Sequence, residues 1–337
     1  MQSIPFEPYD FSALIELCKG RHVYIQTHDF PDPDAIGSAY GLQRLLECYG
    51  IPSTLCYDGQ IDKLSASKML RAFGIEMVPS GRLAGVMAAE DYIICIDSQK
   101  HNDKMLDLVG DEVACIDHHP TYTPIDYAYK DVRPAGACAT LVAQYFASSG
   151  FTPDQNTATA LLYGLRMDTL QFSRGVTALD IAMFSYLFEH CDHDQLTRLE
   201  RNNMEFEDLK AYGEAIDNIE IYGTLGLTSL GFSCPDAMVA ILSDFILSLM
   251  EVEIAVVYSY REDGVKFSVR SENPAVDAGQ LARAALAMLH GAGGGHPSMA
   301  GGLIPSEGLE QLGRCPGERV RDAFLSELKG LHAQPQP

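Results

Sequence analysis

The stretch HDFPDPDAIGS, residues 28–38, sets a histidine and three aspartates within seven positions of a chain that already carries a formal net charge of −22. Repulsion of that kind is useful only where cations answer it. Similar side chains recur downstream, each closing an apolar run: Asp97 ends YIICID, Asp117, His118 and His119 end VACIDHH, and Asp168 follows TALLYGLRM. Any one of these aspartates alone reads as an ordinary turn former, and Asp34 as a helix N-cap. Together, a D-x-D, a D-H-H and two further aspartates after successive apolar runs read as one metal site built from His28, Asp32, Asp34, Asp97, His118 and Asp168. Two divalent cations would balance its four carboxylates. Carboxylate with imidazole suits Mn²⁺, with Mg²⁺, Co²⁺ and Fe²⁺ as chemical neighbours, and the lack of a cysteine in the set argues against structural zinc. Pro31 and Pro33 stiffen the loop, and Gly37 and Ser38 are expected to let a helix begin close to the metals.

Convergence of such distant clusters needs a scaffold that brings them to one edge. HVYIQT, STLCYD, DYIICID and EVACID are short apolar runs alternating with helical stretches, the rhythm of a parallel α/β sheet. Ligands of such a sheet bind outside the carboxyl ends of its strands, so each cluster is expected to close a strand. In AIGSAYGLQRLLECYG, Ala35, Tyr40, Leu42, Leu45 and Leu46 recur at helical spacing, and Gly50 before Pro52 ends the helix. From 177 to 219 the chain turns charged and helix-forming. Beyond it, EIAVVYSYREDGVKFSVRS reads as two strands about a turn at Asp263 and Gly264, followed by the helix DAGQLARAALAMLH and a glycine-rich turn. The expected fold is α/β: an N-terminal parallel-sheet αβα domain over 1–190, a helical connector over 191–222, and a smaller C-terminal α/β domain over 223–330, with LHAQPQP as a disordered tail.

Composition excludes several partners. With 24 basic against 46 acidic residues among 337, the chain lacks the clustered Lys and Arg that grip duplex nucleic acid. An anionic substrate must be met locally. The nine cysteines are odd in number, show no C-x-x-C and often sit in apolar runs, as reduced thiols of a cytoplasmic protein do. No window reaches the roughly 18 apolar residues of a membrane span, and MQSIPFEPYD lacks a signal pattern, so neither membrane nor secretion is expected.

The residues resemble the DHH phosphoesterases. HDFPDPDAIGS is similar to the first motif of that family, Asp97 in ICIDS to the second, DHH at 117–119 to the third, and Asp168 in GLRMDT to the fourth. FSVRS (267–271) and GGGH (293–296) resemble the Arg-Ser and glycine-histidine motifs of the associated C-terminal substrate domain. The resemblance implies that His28, Asp32 and Asp97 hold one metal, and that Asp34, Asp97, His118 and Asp168 hold the other, with Asp97 bridging. Two cations so placed activate water and stabilise the attacking and leaving oxygens of a displacement at phosphorus. His119, Arg270 and His296 are the candidate catalytic donors beside Asp97, with Ser271, Gly293, Gly294 and Gly295 completing the substrate side. Asp117 is expected to orient a ligand histidine through its other ring nitrogen. Two positions depart from the pattern: Met299, where small residues are common, and Arg166, often not basic. The members closest in architecture are oligoribonucleases of the nanoRNase type, which also remove the 3′-phosphate of 3′-phosphoadenosine 5′-phosphate. A short single-stranded oligonucleotide or nucleotide is thus the implied substrate, and a homodimer is compatible with it. Cyclic-dinucleotide phosphodiesterases, exopolyphosphatase- or pyrophosphatase-like hydrolases, and a metal- and nucleotide-binding sensor without turnover are the alternatives.

Overall fold

The four apolar runs of the first half become strands, and the helix between the first two begins where its proline demands. In a computed structural model, residues 5–332 are described apart from 62–63, 102–104, 122, 202–203, 205 and 314; the end of the expected tail, 333–337, lies outside the described residues. The chain divides into two compact units, Met1–Asn203 and Met204–Pro337.

In the first unit the order is α1 (Ser12–Cys18), β1 (Val23–Gln26), α2 (Pro33–Cys48), β2 (Ser53–Tyr57), α3 (Leu64–Phe73), β3 (Val78–Pro79), β4 (Tyr92–Ile96), β5 (Asp111–Asp117), β6 (Tyr129–Val132), α4 (Cys138–Ser149), α5 (Gln155–Asp168), α6 (Ala178–Phe188) and α7 (His193–Glu200). The six strands pair in parallel in the order β3-β2-β1-β4-β5-β6. The chain steps outward from β1 to β3 and then returns to β4 on the other side, so the order reverses between β1 and β4. Side chains following these two strands meet at that reversal, where open α/β sheets bind ligands. Residues 28–34 follow β1, Asp97 follows β4, and the D-H-H closes β5.

Asp168 is the exception. TALLYGLRM is helical, and Asp168 is the last residue of α5. Residues from Thr157 to Leu165 are all buried because α5 packs against α2, α4, α6 and α7, so its sequence is apolar on every side. Asp154 caps it by accepting Thr157 N–H. Gly37 allows the close pass of α2 over α5: a Cβ there would stand 2.8 Å from the Ala160 carbonyl oxygen, and one at Gly164 would stand 2.9 Å from that of Pro33. The role of Gly37 is therefore helix contact, and through it the start of α2 is drawn to the end of α5. Leu42, Leu45 and Leu46 fix the same helix in the core, each burial contributing about 1.5–3 kcal/mol.

The second unit runs α8 (Asp208–Asp217), β7 (Glu220–Tyr222), β8 (Leu225–Leu230), α9 (Asp236–Leu247), β9 (Ile254–Arg261), β10 (Gly264–Ser271), α10 (Ala278–Ala287), β11 (Ala292–Gly295), β12 (Met299–Pro305), α11 (Ser306–Gln311) and α12 (Pro316–His332). Its mixed sheet has the order β11-β12-β10-β9-β8-β7, with β8 and β9 parallel and the other pairs antiparallel. The β9–β10 hairpin forms, but its turn is at Glu262 and Asp263, one residue before the expected position, because Gly264 already pairs with Arg261. The GGGH stretch is no turn: residues 292–295 are an edge strand paired with β12. The stretch expected as a connector divides between the units, α7 burying Leu196 and Leu199 in the first core and α8 burying Ala211 and Ala215 in the second.

Candidate metal centre

The loop after β1 delivers His28, the N-cap of α2 is Asp32 rather than Asp34, the first turn of α2 delivers Asp34, the residue after β4 is Asp97, the end of β5 delivers the D-H-H, and the end of α5 delivers Asp168. Ligand atoms of His28, Asp32 and Asp97 lie within 4.8 Å of one another, and so do those of Asp34, His118 and Asp168. Asp97 joins the two groups: its Oδ2 is 3.8 Å from His28 Nε2 and its Oδ1 is 3.4 Å from His118 Nε2. His118 Nε2 is also 3.4 Å from Asp168 Oδ2 and 3.9 Å from Asp34 Oδ2. All six candidate ligands therefore converge.

The donor set fits cations. Asp97 Oδ1 is buried without a hydrogen bond, and Asp97 sits at a left-handed φ of 56°. Burial pushes its carboxyl well above the usual range, with the charge of Asp34 adding to the effect. Burial and the Asp168 charge likewise lift Asp34 to about 7. Asp168 is raised chiefly by burial. Burial alone would depress His118, but Asp97 and Asp34 outweigh it and raise the imidazole to about 11. Without a cation, protons must hold this cluster together. His118 Nδ1 is 3.0 Å from the Ala135 carbonyl, which only accepts, so Nδ1 carries the proton and Nε2 faces the carboxylates.

That contact corrects one expectation. The ligand histidine is oriented by Ala135, while Asp117 orients His119. Asp117 Oδ1 accepts His118 N–H at 2.8 Å, His119 N–H at 3.2 Å and His119 Nδ1–H at 2.9 Å, and its Oδ2 accepts Gln99 Nε2–H at 2.8 Å. Burial raises the Asp117 carboxyl, yet the His119 and Gln99 hydrogen bonds win and leave it below its usual value. With Nδ1 engaged, half-exposed His119 turns Nε2 outward. Arg166 is occupied elsewhere: its Nε donates to Gln171 at 2.7 Å and lies 2.8 Å from Glu200.

In the second unit Arg270 lies on the face of β10 that α9 covers in part, its Nε 2.6 Å from Asp244 Oδ1 and its Nη1 donating to Ser268 at 3.2 Å. Strand side chains alternate, so Ser271 points the other way; it is buried, its hydroxyl donating to the Asn273 carbonyl. Ser268, not Ser271, accompanies Arg270. Across the ladder, Met299 is the partner of Arg270 and Gly301 of Ser268, and Gly301 in turn faces Gly294. A Cβ at Gly293 would stand 2.8 Å from Leu286 Cδ1 and 2.9 Å from the Ala282 carbonyl, so that glycine serves the packing of α10. Gly294 and Gly301 meet nothing closer than 3.5 Å and leave bare backbone beside Arg270. Gly295, at φ 157°, leads to exposed His296, where the chain turns back into β12.

A family model for the DHH family, N-terminal domain, matches residues 22–165, and one for the DHHA1 domain matches residues 223–328. The chain belongs to the DHH family. This DHH-family chain is 30% identical over 292 residues to an uncharacterized protein of Methanocaldococcus jannaschii, covering 85% of itself but 59% of that relative's length. It is 26% identical over 328 residues to the bifunctional oligoribonuclease and PAP phosphatase NrnA of Thermus thermophilus, covering 91% of one and 90% of the other. A manganese-dependent inorganic pyrophosphatase of M. jannaschii is 34% identical over 131 residues, 36% of this chain and 38% of the pyrophosphatase. An exopolyphosphatase-related protein from Bacteroides fragilis has a similar fold, with a TM-score of 0.73, 21% identity and 96% of each chain covered.

Two positions in the DHH-family chain escape the motif reading. Asp180 is wholly buried, and its carboxylate accepts Gly136 N–H, Thr140 Oγ1–H and both the N–H and Oγ1–H of Thr177. It thereby pins the loop that carries Ala135 to His118. Its only visible signal is the capping box T-x-x-D that opens α6. Arg174 is the other, six residues beyond Asp168. No helix among the described residues is long and apolar enough to cross a membrane.

Proposed function

We propose that this DHH-family chain is a two-metal phosphoesterase that hydrolyses dinucleotides and short single-stranded oligonucleotides to mononucleotides, and that it also acts on 3′-phosphoadenosine 5′-phosphate. The observation that carries it is the convergence of four aspartates and two histidines around the orphaned Oδ1 of Asp97. The full-length likeness to NrnA supports the substrate class.

Two divalent cations, Mn²⁺ by ligand type and by the pyrophosphatase relative, would supply Lewis acidity and an activated water. His28, Asp32 and Asp97 would hold one, and Asp34, Asp97, His118 and Asp168 the other. The four carboxylates neutralise the pair and leave none of its charge for the substrate. Further donors are therefore required. His119, its Nδ1–H held by Asp117, would donate from Nε2 to a phosphoryl oxygen in its doubly protonated form. Arg270, His296 and the bare strand at Gly294 form the substrate side of the second unit, since glycine backbone admits close approach by a phosphate or a base. Reading the reaction as pyrophosphate hydrolysis draws on the pyrophosphatase relative, but that match covers a minor part of either chain.

The test is a substrate panel with Mn²⁺: RNAs of increasing length, cyclic dinucleotides, 3′-phosphoadenosine 5′-phosphate, pyrophosphate and polyphosphate. With few basic residues to follow a backbone, kcat/KM should be highest for two to about five nucleotides and fall for longer strands, with weak salt dependence. Arg270→Ala should raise KM for a dinucleotide while Mn²⁺ affinity holds. Pyrophosphate or polyphosphate turned over faster than any dinucleotide would displace this reading.

A further inference from the structure

Directly after Asp168, three successive non-glycine residues, Leu170, Gln171 and Phe172, take left-handed backbone angles, φ 46°, 56° and 67°. Each is disfavoured for an L-residue. Thr169 holds them: its hydroxyl oxygen accepts Phe172 N–H at 3.2 Å, and its carbonyl accepts the N–H groups of Ser173 and Arg174, both at 3.0 Å. Phe172 is anchored edge-on against Phe184. A right-handed continuation of α5 would carry residue 174 about 9 Å along the axis from Asp168. The left-handed turn folds it back instead. Arg174 Nη2 donates to the Asp168 carbonyl at 2.9 Å and stands 3.7 Å from Asp168 Oδ1. The Arg174 side chain is 44% exposed, and its Nε and Nη1 hydrogen-bond to no described residue.

We propose that Arg174 is a catalytic residue of the centre, its open guanidinium edge binding the phosphoryl oxygens of the substrate beside the metals. This deepens the phosphoester reading and rests on it. A carbonyl at an exposed helix end needs no arginine, since water satisfies it. A strained turn that parks one against a metal-ligand carboxylate has another use. With four carboxylates matched to two cations, an incoming phosphate brings charge that nothing in the ligand set offsets, and the arginine fork fits two phosphoryl oxygens at once.

The test uses the full chain and R174A, R174Q and R174K. Calorimetry measures Mn²⁺ binding, then inorganic phosphate binding to the Mn²⁺-loaded protein; dinucleotide turnover is followed separately. The expected result is a Kd for Mn²⁺ within about threefold of the parent, and a Kd for phosphate weakened about tenfold or more in R174A and R174Q and partly recovered in R174K. Unchanged phosphate binding in R174A and R174Q overturns the proposal. So does a parallel loss of Mn²⁺ binding, which would make Arg174 a support for Asp168 alone, and so does a parent protein that binds no phosphate. Phosphate held through Arg174 by a protein that hydrolyses no dinucleotide upholds this assignment and removes the substrate reading.

Discussion

Asp34 closes the N-terminus of a helix that begins at Cys138: its Oδ2 accepts Cys138 N–H at 2.7 Å, and its Oδ1 accepts Ala139 N–H at 2.9 Å. α4 has no side-chain cap from its own N-cap residue, so one carboxylate serves both that helix and the metal cluster. Helix N-termini favour negative charge. Burial and Asp168 nevertheless dominate and raise the group to about 7.

The first prediction follows from that balance. Between the ordinary carboxylate range and about pH 7, folded metal-free protein keeps a proton on Asp34 that the unfolded chain has lost, so stability falls as pH rises through this window. A bound cation takes the place of that proton. The Mn²⁺-induced rise in Tm should therefore be larger at about pH 8 than at about pH 5.5, and Asp34→Asn should flatten the pH slope of the metal-free protein. Scanning calorimetry with and without Mn²⁺ decides it; equal increments at both pH values would contradict it.

Asp97→Asn should separate stability from function. Asparagine tolerates the left-handed φ of 56°, and the substitution removes a carboxyl whose ionisation burial and Asp34 oppose. Metal-free Tm should rise by a few degrees, while Mn²⁺ affinity and hydrolysis fall at least about a hundredfold. A variant that hydrolyses a dinucleotide near the parental rate would refute the shared-ligand role of Asp97.

Asp117 and His119 should behave as one unit. Asp117→Asn weakens the grip on His119 Nδ1 and reaches the metal ligands only through the His118 backbone N–H, so kcat should fall about 10- to 100-fold with a smaller change in Mn²⁺ affinity. Adding Asp117→Asn to His119→Ala should cost kcat little more. Additive losses would show that Asp117 acts through another partner.

Asp180→Asn leaves donors at Gly136, Thr140 and Thr177 competing for a neutral amide in a sealed site. We expect a loss of about 2–4 kcal/mol in urea unfolding, together with an Mn²⁺ affinity lowered about tenfold because Ala135 no longer fixes His118. Unaltered metal binding in the destabilised variant would break that link.

The convergence of the candidate ligands is legible because metal chemistry restricts residue types and because strand ends follow apolar runs. Asp168 was readable as a ligand yet misplaced, since a short apolar run such as TALLYGLRM does not distinguish a strand from a helix buried on all sides. Ser271 is expected on the substrate side from the resemblance of FSVRS to the Arg-Ser motif, yet neighbours on a strand face opposite ways and its hydroxyl is turned to the Asn273 carbonyl. The GGGH stretch hid its strand behind glycine, which carries no β signal. Asp180 shows in the sequence only as the acid of a capping box; its bonds to Gly136 and Thr140, like that of the Ala135 carbonyl to His118, are closed by tertiary contact, and such geometry leaves no pattern in a chain.

The ligands of the centre span residues 28–168, and the loop that orients His118 is pinned from residue 180. On a ribosome the first aspartates emerge about 140 residues before the last, and loop closure on that scale opposes early pairing. HDFPDPD thus waits as a charged segment with no imidazole from β5 and no carboxylate from α5 to complete it. His28, Asp32 and Asp97 can meet once β4 has paired with β1, whereas the group of Asp34, His118 and Asp168 waits for α5, so the two halves of the centre become available to cations at different lengths of nascent chain.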